Sequence, residues 1–168
     1  MNAAATRTAT WTALLLAVAM AGTVLIALGF EHIGGYIPCA LCLEQRTPYY
    51  LGAPLMLATF LLAWFGASQR LVRLLLAAGG ALMVYGLVLG VYHAGVEWHW
   101  WQGPADCTSA APVLSGSVED LLKGATTQRP PSCDEATWRL FGLSFAGWNV
   151  VASAFLAAVA FRGAFARA

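Results

Sequence analysis

"LLLAAGGALMVYGLVLGVY", residues 74–92, carries no charged side chain, and how it is read decides the fold. A helix needs about 20 apolar residues to cross the hydrocarbon core of a bilayer. Working outward, three more uncharged stretches of similar length occur, at about 11–30, 49–65 and 143–161. Composition agrees: of 168 residues 60% are hydrophobic and only 10% charged, against about 25% charged in soluble domains. The expected fold is an all-α membrane protein, a single membrane domain over 1–168 built as a four-transmembrane-helix bundle.

Basic residues near the span ends set the orientation. Arg7, Arg70, Arg73, Arg162 and Arg167 fall on one side with no acid among them. Glu31, Glu44, Glu97, Asp106, Glu119, Asp120, Asp134 and Glu135 fall on the other, beside Arg46, Lys123, Arg129 and Arg139. An even number of crossings then places both termini in the cytoplasm and leaves two external loops, about 31–48 and 93–142. The first span competes with a cleavable signal peptide, but it runs on past the usual signal core with no polar cleavage region. A net charge of +1 gives no sign of nucleic-acid binding.

All four cysteines lie in the external loops: Cys39 and Cys42 in the first, Cys107 and Cys133 in the second. Paired cysteines belong in an oxidising compartment. Four cysteines allow three pairings, and the simplest joins Cys39 to Cys42 and Cys107 to Cys133. A bridge between Cys107 and Cys133 would close a long loop and contribute about 3 kcal/mol on the chain-entropy argument, so a structural staple and a redox pair are both open there. A bridge across two residues restricts almost nothing. It suits a dithiol that cycles, because the second thiol is always placed to attack a mixed disulfide formed by the first. Zinc lacks a second close-spaced ligand pair, and no metal site is expected.

In "IPCALCLEQRTPYY", residues 37–50, a helix over 39–46 would put Cys39, Cys42 and Arg46 on one face. A guanidinium and the positive end of a helix both favour thiolate. Arg46 is also the only basic residue of the first loop, on the side where positive charge is disfavoured; the alternative is a snorkelling anchor. A guanidinium there can bond a quinone carbonyl. The run "VYHAGVEWHWWQGPADC" brings Trp98, Trp100 and Trp101 to the interface, where an aromatic belt is the plain reading. His93 lies at the depth of the dithiol and is a candidate for proton relay or quinone binding. His32 and His99 read as exposed. "VLSGSVEDLL", residues 113–122, has the pattern of a short helix lying on the membrane. Gly86, Gly90 and the small residues at 152–158 suit close helix packing.

Taken in order, "CALCLEQR", "YHAGVEWHWWQGPADC" and "CDEATWRLFGLSFAGWN" resemble the bacterial disulfide bond formation protein B family over nearly the whole chain. The quinone-coupled system that keeps the bacterial periplasm oxidising includes this family. The resemblance implies an inner-membrane, quinone-dependent thiol oxidase whose loops are periplasmic. It implies that Cys107 and Cys133 take electrons from a thioredoxin-like partner of the DsbA type. It further implies that Cys39 connects the two pairs, and that Cys42 faces ubiquinone or menaquinone with Arg46, and His93, beside it. Two alternatives remain at this point: a quinone or vitamin K epoxide reductase-like protein, and a structural membrane protein with braced loops.

Overall fold

The computed structural model describes residues 3–104, 107 and 132–165. Among these residues there are four long helices: α1 (Ala3–His32), α2 (Ala40–Trp64), α3 (Gln69–Glu97) and α4 (Phe145–Phe165). They pack in a ring, α1 on α2, α2 on α3, α3 on α4 and α4 back on α1. α1 (from Arg7), α3 and α4 are each long and apolar enough to cross a membrane. α2 carries the polar run Glu44, Gln45 and Arg46 in its second turn and contains Pro48 and Pro54. The bundle is therefore all-α, apart from one short hairpin absent from the sequence reading, β1 (Arg139–Leu140) paired with β2 (Leu143–Ser144). Its turn residues, Phe141 and Gly142, both have positive φ, the geometry of a type I′ turn, which matches the twist of paired strands.

The core is built from side chains that fill gaps between close helices. Leu16, Met20, Met56, Leu76 and Met83 have no exposed surface. The Met56 side chain lies against Gly79, where an added Cβ would come within 2.6 Å of Met56 Cε. Flexible thioethers suit such irregular spaces. Outside the core, Val18, Leu25, Ile26, Leu74, Val88 and Phe155 are exposed, the surface a bundle presents when lipid is its solvent. Residues 113–122, read above as a surface helix, lie outside the described residues, as do Asp106, Lys123, Arg129 and Arg167.

Candidate functional site

Cys39 is the N-cap of α2, and its Sγ accepts a hydrogen bond from the Cys42 backbone N–H at 3.2 Å. A cysteine thus occupies the position normally held by serine or aspartate, where the helix dipole favours negative charge. The two sulfurs are 2.7 Å apart and both cysteines are free. The hydrogen bond from Cys42, opposed by burial and assisted by His93, draws the Cys39 thiol down to about 5. The same hydrogen bond, together with burial, pushes Cys42 far up. Negative charge is favoured on Cys39, the sulfur at the helix N-terminus that accepts the Cys42 backbone N–H, with Cys42 S–H placed to donate to it.

Cys107 and Cys133 form a disulfide with Cα atoms 5.2 Å apart and a sequence separation of 26. This bridge lies directly against the dithiol: Cys39, Leu41, Val96, Cys107 and Cys133 form one buried cluster, with Cys42 and Tyr92 packed on it. The Sγ atoms of Cys39 and Cys133 and a ring nitrogen of His93 lie within 4.8 Å of one another. Trp101 helps bring the second loop there. Its indole N–H bonds the Tyr92 carbonyl at 2.8 Å, its ring stacks on Tyr92, and it fits over Gly95, where any Cβ would overlap the indole. The belt reading of the tryptophans thus leaves out Trp101's part in folding the segment back onto α3.

The residues expected from sequence divide into two groups. His93 is buried, and its Nε2 is 3.7 Å from Cys39 Sγ. Arg46 turns instead toward α1, where its Nη1 donates to Glu31 Oε2 at 2.5 Å. The contact that sequence spacing assigned to Arg46 at the thiols is made by His93, because the Arg46 side chain reaches toward α1 while Gln45 takes the face turned to α3 and α4. Four polar groups escaped the sequence reading. Gln45 Nε2 donates to His93 Nδ1 at 2.6 Å, and Asn149 Nδ2 donates to Gln45 Oε1 at 2.6 Å. Glu97 is buried 3.9 Å from His93 Nε2 and accepts a hydrogen bond from Ser144, which also caps α4 by accepting from the Gly147 N–H. Their signal was present: lone amides and an acid in otherwise apolar helices are expensive and mark function.

A small cleft opens beside the dithiol, lined by Ile37, Cys39, Cys42, His93, Trp138 and Phe145 among others. Trp138 stacks on Phe145 at 5.0 Å, and Phe30 packs on both. Sulfur, an imidazole and aromatic walls converge there.

The arrangement of a reactive dithiol against a second cysteine pair in a helical membrane bundle agrees with what is found by comparison. The sequence model of the disulfide bond formation protein DsbB matches residues 9–162. The chain belongs to the DsbB family. It is 32% identical over 155 residues to a disulfide bond formation protein B of Marinobacter nauticus, covering 86% of this chain and 84% of that one. It is 30% identical over 129 residues to a disulfide bond formation protein B of Pasteurella multocida, covering 75% and 68%. No solved structure matches. As a DsbB-family member the chain is a multi-pass membrane oxidoreductase that forms disulfide bonds.

Proposed function

We propose that the protein reoxidises a thioredoxin-like dithiol oxidase of the DsbA type in the periplasm and passes the electrons through two cysteine pairs to a membrane quinone, ubiquinone or menaquinone. In this reading it lies in the bacterial inner membrane with four spans, both termini cytoplasmic and both loops periplasmic. The observation that carries it is the approach of Cys39 and Cys133 sulfurs to within 4.8 Å across two loops.

The exchange balances as follows. A partner thiolate attacks Cys107 and displaces Cys133 as thiolate; the partner's second thiol then releases the oxidised partner and leaves Cys107 reduced. With Cys39 and Cys42 oxidised to a disulfide, Cys133 attacks Cys39 Sγ and Cys42 leaves. Cys107 then attacks Cys133, closing the Cys107–Cys133 bridge and releasing Cys39 as thiolate. Two electrons have moved to the first pair, and the sulfur bonding is that of this structure. Release of Cys39 is favoured by its place at the helix N-terminus and by the His93 N–H.

The chemistry of the cleft fits a quinone: flat aromatic walls from Trp138 and Phe145, the Cys42 sulfur, and a hydrogen-bond donor in His93. Arg46, one helical turn beyond Cys42, is the cation that would hold a carbonyl oxygen, with Glu31 fixing its guanidinium. A bound quinone supplies a two-electron, two-proton acceptor. Purified protein mixed with a reduced DsbA-type partner and ubiquinone-1 should consume quinone absorbance in proportion to partner thiols lost. Partner oxidation with no change in quinone would overturn the reading.

A further inference from the structure

Behind the sulfurs runs a chain of buried and half-buried hydrogen bonds across three helices, and it has a direction. Asn149 on α4 donates from Nδ2 to Gln45 Oε1 at 2.6 Å and to the Gly86 carbonyl at 3.3 Å. Its Oδ1 accepts from the Tyr49 hydroxyl at 2.7 Å. Tyr49 has one hydrogen to give, so Ser153, 2.8 Å away, donates to the Tyr49 oxygen. A carbonyl oxygen can only accept, so Gly86 pins the Asn149 amide in one orientation. Gln45 is pinned twice in the same sense. Its Oε1 receives the Asn149 hydrogen, and its Nε2 gives one hydrogen to the Leu41 carbonyl at 3.3 Å. The remaining Nε2 hydrogen points at His93 Nδ1, 2.6 Å away. With Nδ1 accepting, the ring's own hydrogen sits on Nε2, the nitrogen facing Cys39.

We infer that Gln45 and Asn149 are positioning residues for the sulfur relay: they hold His93 in the Nε2–H tautomer, so that it serves Cys39 as a fixed hydrogen-bond donor and not as its base. The inference rests on the relay reading for the value of a donor there, because each turnover releases Cys39 as a leaving thiolate. The protein could have placed a carboxylate at position 45, which would draw the histidine hydrogen to Nδ1 and turn a lone pair toward the sulfur. An amide held by a second amide does the reverse. The thiolate character of Cys39 fits, His93 being one of the groups that lower it. Among the described residues, the titratable groups around that sulfur are Cys42 on α2, His93 and Glu97 on α3, and Glu135 in the second loop.

The test uses the full chain in detergent micelles, reduced and labelled with ¹⁵N-histidine, the His93 signals being assigned by their loss in His93→Ala. The expected spectrum has hydrogen on Nε2 and a hydrogen-bonded lone pair on Nδ1; hydrogen on Nδ1 overturns the inference. Gln45→Glu, nearly the same shape, should move the hydrogen to Nδ1. Alongside, iodoacetamide labelling resolved by mass spectrometry follows Cys39 alone against pH. Gln45→Met should raise its midpoint by about one unit, a tenfold loss of thiolate at low pH, and Asn149→Leu by less. The double variant Gln45→Met, His93→Ala should match His93→Ala alone, since one pathway is being removed twice; additive shifts would overturn the inference. The tautomer reads out even if Cys39 proves unnecessary for turnover, so failure of the relay and failure of this inference are separable.

Discussion

The two ends of the bundle are built on opposite principles. Toward the end that joins α2 to α3, the buried residues are Ala9, Ala13, Leu16, Leu76, Ala160 and Ala164, small or flexible apolar groups with little polar chemistry. Toward the loop end, Gln45, His93 and Glu97 are buried on these helices, joined by Cys39 at the α2 cap, Ser144 in β2, and Cys107 and Cys133 in the second loop. Burying a polar group costs free energy unless it is hydrogen-bonded, and at the loop end the amides, the imidazole and the carboxylate each have a partner. The difference teaches that one end holds helices together and the other holds atoms in register. Damage to each should therefore be read by a different instrument.

The strongest test of the loop end removes its sulfurs. Cys39→Ser or Cys42→Ser should abolish quinone reduction while the protein remains folded in membranes, because each sulfur is a necessary stop. A serine variant that turned over at the parent rate would leave the loop end a structural cap. Next in size, Cys107→Ser should stop oxidation of the reduced partner but spare quinone reduction driven by a small dithiol that reaches Cys39 and Cys42 directly. Cys133→Ser should trap a mixed disulfide between Cys107 and the partner, seen on non-reducing gels as a band of summed mass. If the trapped band came from Cys133 in the Cys107→Ser protein, the order of attack would be reversed.

The helical membrane bundle was legible because hydrophobic length is a one-dimensional property: uncharged runs at 11–30, 74–92 and 143–161 announce themselves without partners. The dithiol was legible for a similar reason, being a local spacing that a helix start converts into a capped sulfur. What the sequence hid was contact between distant segments. Gln45 and Asn149 are 104 positions apart, and nothing local says that one amide faces the other. Arg46 illustrates the converse: helical spacing put it near the thiols, but a guanidinium on a long stem goes to the available carboxylate, and Glu31 on α1 supplies one. The hairpin before α4 was overlooked because Leu143 continues the apolar run, while the positive φ of Phe141 is invisible in composition.

A smaller effect is expected at the Arg46–Glu31 pair, which ties α2 to α1 one helical turn beyond Cys42. Arg46→Ala should raise the apparent KM for quinone about tenfold, the loss of roughly 1.4 kcal/mol from one charge-assisted contact. Arg46→Lys should recover part of it, since charge is kept but the planar fork is lost. Glu31→Gln should shift KM in the same direction by less, because it frees the guanidinium without removing it. Unchanged KM in all three at low quinone would make Arg46 an interfacial anchor.

The smallest effect on activity should come from the apolar end, and it carries the comparison's other half. Met56 is fully buried, and its terminal methyl and sulfur lie directly over Gly79. Met56→Ala removes that packing, and since lipid offers no hydrophobic drive for helices to close again, the void should persist. A buried methionine cut to alanine costs about 2 kcal/mol or more, so unfolding in detergent should come at lower denaturant and lower temperature. The hydrogen-bond chain from Ser153 to His93 does not include Met56. Turnover per folded molecule at saturating quinone should accordingly match the parent. A fall in turnover at temperatures where the variant is still folded would show that the two ends move together, and the division between a holding end and a reacting end would have to be given up.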